Sequence, residues 1–203
     1  MSELTNWVKA EVIRRLNRPE QSTAHRFDHI ERVMRNAQLI AATMDEVDHE
    51  ILELAVLLHD IDQPPGRKAE HVELSLRAAE GILRDAGCAE DRARRVLDVM
   101  AEHSTEHVDT VQPSTTEARI LFDADKLDGV GAVGVARVFS FFGQMDLPPL
   151  DAIRWYRAKM QIALENIQTE EGRRLCGSRL EYVHGFLARM EAEALVDPEV
   201  WSA

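Results

Sequence analysis

The segment from Ile51 to Ile61, ILELAVLLHDI, constrains this chain more than any other. Apart from Glu53 it is apolar on every side of a helix until His59 and Asp60, and a helix hydrophobic all round belongs inside a core. Yet it ends on an imidazole and a carboxylate. A helix C-terminus disfavours negative charge, and an unpaired carboxylate at the end of an apolar helix is costly. A bound cation relieves both problems at Asp60, and His59 can lend the same ion a nitrogen. The alternative is a turn aspartate before the Pro64-Pro65-Gly66 loop, next to a hydrogen-bonded core histidine. The pair alone does not decide between them.

The remaining chain reads as helices in one all-α domain spanning residues 1–203. Apolar residues recur at three-and-four spacing in 3–16 (Leu4, Trp7, Val8, Val12, Leu16) and in 28–44 (Ile30, Val33, Ala37, Ile40). The apolar helix is expected over 46–60. Further helices are expected over 71–86, stopped by Gly87, over 90–104 and over 116–128. A Gly-spaced segment follows at 129–142. After Pro148 and Pro149 two longer helices, 151–167 and 170–195, are expected to cover the domain, the second capped by Thr169 with Glu170 and Glu171 in its first turn. No period-two strand pattern persists. The core that carries chemistry is expected within about 25–143. Only 5% of the chain is aromatic and 45% is hydrophobic, which suits one helical core of 203 residues.

A net charge of −12 argues against sequence-blind binding of DNA or RNA, which needs a basic face. It leaves room for an anionic small molecule if a metal or a few basic side chains supply local positive charge. Cys88 and Cys176 lack paired or CxxC spacing and read as small buried hydrophobes in a reducing compartment. With no signal-peptide pattern and no apolar run of membrane-spanning length, a cytoplasmic protein is expected.

Several polar residues fall on apolar faces. In TEARILFDADKLD (116–128), a step of about 100° per residue places Asp125 on the arc of Ala118, Leu121 and Phe122, with Asp128 bordering Leu121. Asp123 points away, among Arg119 and Lys126, and is expected at the surface. His29 sits one step off an apolar face, flanked by Val33, with Arg32 and Asn36 on its polar side. His25, one turn earlier, precedes the established helix. His71 shares a face with Leu74, Ala78 and Ile82, and His103 shares one with Val96, Val99 and Met100. Four inward histidines and two inward aspartates on five helices make sense if they converge. His49 and His107 read as solvated, and His184 as a satisfied core histidine.

The order His29, His59-Asp60, Asp125 resembles the HD superfamily of metal-dependent phosphohydrolases. The words FDHIERV, LAVLLHDI, the HS at 103 and EARILFDADKLDGVGAVGVAR carry that resemblance, and WYRAKM, TEEGRRL and SRLEYVHGFL look like its small single-domain branch. It implies a helical bundle in which His29, His59, Asp60 and Asp125 hold a divalent ion (Mn²⁺, Fe²⁺, Co²⁺, Ni²⁺, Zn²⁺ or Mg²⁺), a mixed nitrogen and oxygen set. It implies water, activated by that ion, attacking a phosphorus atom. His71 and His103 match positions that touch phosphate or take a second metal, with substrate contact the first reading. HD nucleotidases and alarmone hydrolases carry a Glu three residues after the paired Asp. Here Gln63 stands there, so Asp60 and His71 are the catalytic candidates, with His71 or water as proton donor.

Positive charge toward substrate is expected from Arg67, Lys68, Lys126, Lys159 or Arg179, with Arg32 orienting a ligand and Asp128 beside the site. The glycines at 129, 131 and 134 match GxGxxG, but no strand precedes them, so close helix packing is the reading. The function implied is hydrolysis of a nucleotide or similar phosphorylated small molecule, with nucleoside triphosphate going to monophosphate and pyrophosphate first. Phosphomonoesterase or cyclic-nucleotide phosphodiesterase activity comes next. A non-catalytic nucleotide or metal sensor is the alternative from another class, and a purely structural helical protein is the third. Apolar faces on 151–195 suit either a homodimer surface or a lid.

Overall fold

Thr115 starts the helix around which the others are arranged. Its extended backbone and its hydroxyl, which accepts from the Ala118 N–H at 3.1 Å, cap a helix over Thr116–Asp128. The computed structural model describes residues 2–17, 27–62, 70–104 and 112–194, and among these there are nine helices and no strand. They are α1 (Glu3–Leu16), α2 (Phe27–Ala41), α3 (His49–Leu58), α4 (His71–Asp85), α5 (Glu90–Ala101), α6 (Thr116–Asp128), α7 (Ala132–Gln144), α8 (Pro149–Asn166) and α9 (Glu170–Ala194). None is long and apolar enough to cross a membrane. His25, Gln63, the Pro64–Gly66 loop, Arg67, Lys68 and His107 lie outside the described residues.

α6 packs most extensively on α2 and also on α3, α5 and α9. α3 is buried along nearly its whole length, from Ile51 to Leu58, and contacts α1, α2, α5 and α6. The all-round apolarity of ILELAVLLHDI is thus the signature of a central helix. α7 packs on α8 and α9, and α9 returns to α6 and α2.

Several helix ends differ from the sequence expectation, each for a local reason. Asp48 caps α3 by accepting from Ile51 N–H at 3.2 Å, so the helix begins at His49 rather than at 46. Buried Glu117 at the start of α6 accepts from Asp48 N–H at 2.7 Å and ties the two starts together. Gly131, at φ +92°, breaks the Gly-spaced segment, and α7 begins after it. Pro149 needs no N–H at the first helical position, so α8 starts there. Gly87, at φ +72°, ends α4, with Cys88 N–H bonded to Leu83 O and Gly87 N–H to Arg84 O.

Three expectations about faces are corrected. Asp123 is not a surface residue: it is fully buried and accepts from Gln168 N–H (2.8 Å), Thr169 N–H (2.7 Å) and Thr169 Oγ1 (2.6 Å). It anchors the N-terminus of α9, where Thr169 Oγ1 in turn accepts from Gly172 N–H at 3.0 Å. A helix with neighbours on opposite sides has no solvated face for Asp123 to occupy. Trp7 is 45% exposed, because Thr5, Val8, Val12 and Leu16 form the buried stripe of α1. His184 is exposed, the inward positions of α9 being Val183 and Leu187. Cys176 is buried as expected, and Cys88 is half-buried.

The glycine run serves close packing. A Cβ at Gly134 would lie 2.2 Å from Gly129 O and 2.7 Å from the Tyr156 hydroxyl, which donates to Gly129 O at 2.9 Å. Gly134→Ala should therefore destabilise the protein by about 1–3 kcal/mol, the usual cost of overpacking, and lower its thermal midpoint. An unchanged midpoint would contradict this packing account.

Candidate metal centre

The C-terminal residues of α3 deliver the opening pair. His59 caps the helix in α-helical conformation, and its Nδ1 lies 2.9 Å from Val56 O, one turn back. That carbonyl can only accept, so Nδ1 carries a proton and Nε2 is the nitrogen left to face the cluster. His103, just beyond α5, repeats the device with Nδ1 at 2.6 Å from Met100 O. His29 on α2 has Nδ1 at 2.7 Å from Asp128 Oδ2. In each ring a fixed acceptor holds one nitrogen and aims the other inward.

The inward atoms share one space. His29 Nε2 is 3.5 Å from Asp125 Oδ1 and 3.7 Å from Asp60 Oδ2, and His59 Nε2 is 3.8 Å from each of the same two oxygens. The other oxygen of Asp60, Oδ1, faces His103 Nε2 at 3.5 Å and His71 Nε2 at 3.9 Å. The rings follow one another at centroid distances of 5.2–5.4 Å from His29 through His59 and His103 to His71. Two sets result, His29–His59–Asp125 and Asp60–His71–His103, each with its donor atoms within 4.8 Å of one another.

These residues fit a divalent cation. Separations of 3.5–3.9 Å are too long for hydrogen bonds. They are close to the roughly 3–3.5 Å between ligands that each stand about 2.1 Å from a shared ion. His59 Nε2 is fully buried with no hydrogen-bond partner among the described residues, which is costly unless something positive takes its lone pair. Imidazole and carboxylate together suit borderline divalent ions.

Charge is arranged around the cluster. The Lys126 ammonium lies 2.6 Å from Asp125 Oδ2, leaving Oδ1 toward the histidines. Burial works to raise the Asp125 carboxyl, but Lys126, His59 and His29 hold it well below the usual carboxylate range. Asp128, also buried, is gripped by His29, by Arg32 (Nε at 2.6 Å, Nη2 at 3.2 Å) and by Arg137. Burial raises its pKa, yet the His29 and Arg32 bonds outweigh that and bring it to about 2. Burial opposes protonation of His29, but its hydrogen bond to Asp128 and the nearby Asp60 carboxylate lift it to about 9 in the metal-free protein. Burial pushes His103 below its ordinary value, which favours its neutral imidazole.

The structure gathers His29, His59, Asp60, His71, His103, Asp125, Lys126 and, one contact further out, Asp128 and Arg32. Lys159 is half-buried on α8, which packs chiefly on α7 and α9. Arg179 is committed elsewhere, to Leu127 O and Asn36. Asn36, placed on the polar side of its helix by periodicity, is buried, because a buried acceptor and donor await its amide. Sequence reasoning missed Arg137. An arginine between Val135 and Val138 on an otherwise apolar stretch was the available signal.

The His29–Asp128 contact makes stability depend on pH from both sides. A depressed carboxylate contributes stability that is present above its unfolded pKa of about 4 and is lost as pH falls toward 2. A raised histidine contributes stability that is complete below its unfolded value of about 6.5 and is lost as pH rises through 9. Metal-free protein should thus be most stable between about pH 4 and 6.5, with roughly 2 kcal/mol lost on the acid side. Asp128→Asn should flatten both slopes in urea denaturation followed against pH. Unchanged slopes would contradict the assigned contact.

Comparison with known proteins agrees with this geometry. The HD domain family model matches residues 26–129, just over half of the chain. The uncharacterised protein YpgQ of Bacillus subtilis is 31% identical over 126 residues, which span 61% of this chain and 60% of YpgQ. The crystal structure of YpgQ in complex with ADP superimposes with a TM-score of 0.73 at 24% identity, covering 93% of this chain and 97% of that one. A Lactobacillus plantarum protein reaches 0.79 at 19% identity, covering 97% and 100%. A predicted HD superfamily hydrolase from an uncultured Thermotogales bacterium reaches 0.60 at 29% identity, covering 94% and 91%. The chain belongs to the HD domain family.

Proposed function

We propose that this chain is a metal-dependent phosphohydrolase acting on a nucleotide or a similar phosphorylated small molecule. One observation carries the reading: the two oxygens of Asp60 face two separate sets of inward imidazoles. In this reading His29, His59, Asp60 and Asp125 would hold one cation, and Asp60, His71 and His103 would hold a second. A divalent cation bound there supplies Lewis acidity, lowering the pKa of a water and neutralising charge on a phosphate oxygen.

The chain's own residues set the conditions for that chemistry. Val56 O, Met100 O and Asp128 fix the imidazole tautomers, so the nitrogens need no reorientation when a ligand arrives. Lys126 takes one oxygen of Asp125 and so leaves the other to face the histidines. Three carboxylates (Asp60, Asp125, Asp128) are matched by Lys126, Arg32 and Arg137. With neutral histidines the protein's own charges there nearly cancel, and cations then make the site attractive to an anion even though the whole chain carries −12. His71, read from the sequence as a substitute proton donor because Gln63 cannot ionise, is in this reading a ligand instead, since its Nε2 faces Asp60 Oδ1.

A nucleotide as substrate is supported by the ADP complex of YpgQ. Within that class, conversion of a triphosphate to monophosphate and pyrophosphate comes first. Gln63 cannot ionise, which counts against the reactions that use a Glu at that place. Metal-stripped protein recharged with Mn²⁺ and given nucleoside mono-, di- and triphosphates and cyclic nucleotides should release pyrophosphate, read by mass spectrometry. Asp125→Ala should abolish turnover. Nucleotide retained without turnover by the metal-loaded wild type would instead favour a sensor.

A further inference from the structure

Besides the Asp123 cap at its start, α9 reaches α2 and α6 through a guanidinium. Arg179 Nη1 donates to Leu127 O at 2.5 Å, and Nη2 donates to Asn36 Oδ1 at 2.7 Å. The amide of Asn36, itself only 4% exposed, donates from Nδ2 to Ala124 O at 3.0 Å. Three helices therefore meet in one chain of hydrogen bonds: α9 through Arg179, α2 through Asn36, and α6 through two carbonyls.

The places it touches are informative. Ala124 immediately precedes Asp125, and Leu127 immediately precedes Asp128. Asn36 follows His29 by seven residues, about two turns along the same face of α2. The bridge thus links α2, two turns from His29, to α6 at the carbonyls next to Asp125 and Asp128. Arg179 also stands where α6 ends, and a cation there suits the helix dipole. Room is made for it: a Cβ at Gly131 would lie 3.3 Å from Arg179 Cβ.

For stability alone, such a bridge is an expensive design. A half-buried guanidinium bonded to a carbonyl and an amide has given up water for neutral partners, and apolar side chains of similar volume often serve a helix contact as well or better. Directional bonds do what apolar packing cannot, namely fix how far one helix slides along another. The His29 Nε2 to Asp125 Oδ1 separation of 3.5 Å depends on that slide. We propose that Arg179 is a positioning residue for the metal centre, acting through Asn36 and the Leu127 carbonyl to fix α2 against α6.

The proposal rests on the reading that the cluster binds a cation, and its test separates the two. Metal-stripped wild type, Arg179→Met, Arg179→Lys, Asn36→Leu and the double variant Arg179→Met/Asn36→Leu are titrated with Mn²⁺ by calorimetry, with folding checked by circular dichroism. Each of R179M and N36L should weaken Mn²⁺ binding about tenfold, the lower end of the range for residues that orient ligands. The double variant should be no weaker than the worse single one, because both break one bridge. Arg179→Lys should recover part of the loss. If R179M does not fold, the comparison of N36L with R179K carries the same readout. Folded single variants within about twofold of wild type, or effects that multiply in the double variant, would overturn the proposal. Wild type that binds no Mn²⁺ would overturn the metal reading itself.

Discussion

The site is organised around one electrostatic problem: the buried carboxylate of Asp60 among four imidazoles whose Nε2 atoms lie 3.5–3.9 Å from its oxygens. Three of the rings are turned by an acceptor behind them, His59 and His103 by carbonyls of their own helical turns and His29 by Asp128. Left to itself this arrangement costs stability, because a buried lone pair without a partner forfeits its hydration. In the metal-free protein a proton on His29 relieves part of the cost. A cation would relieve more of it, in competition with that proton.

The fold supplies what such a site needs by using α6 from both sides. Asp125 and Asp128 leave it toward α2 and the histidines, while Asp123 leaves it toward α9 and caps that helix through Gln168 and Thr169. The final helix is thereby held to the element that carries two of the site's aspartates. Arg32 and Arg137 act on the cluster from outside it, through Asp128, which holds the His29 ring.

The helical class, the centrality of ILELAVLLHDI and the convergence of His29, His59, Asp60, His71, His103 and Asp125 were legible because helical periodicity exposes a polar residue on an apolar face. The same rule failed at Asp123, Asn36 and His184. Periodicity assumes one buried face and one wet face, and α6 has neighbours on opposite sides. Asn36 is buried for the sake of hydrogen bonds that no hydropathy pattern records. On α9 the apolar pattern is weak, and Val183 rather than His184 takes the inward position. Helix starts at His49, Ala132 and Pro149 were set by a cap, a positive φ and a proline, each a local effect finer than the apolar stripe.

The central claim is that the two oxygens of Asp60 serve two cations. Elemental analysis of metal-reconstituted, desalted protein measures this most directly. The account predicts two ions per chain in the wild type, one in His103→Ala, and a loss of at least one in His29→Ala. A wild type that retains no metal, or a metal content indifferent to both substitutions, would contradict it.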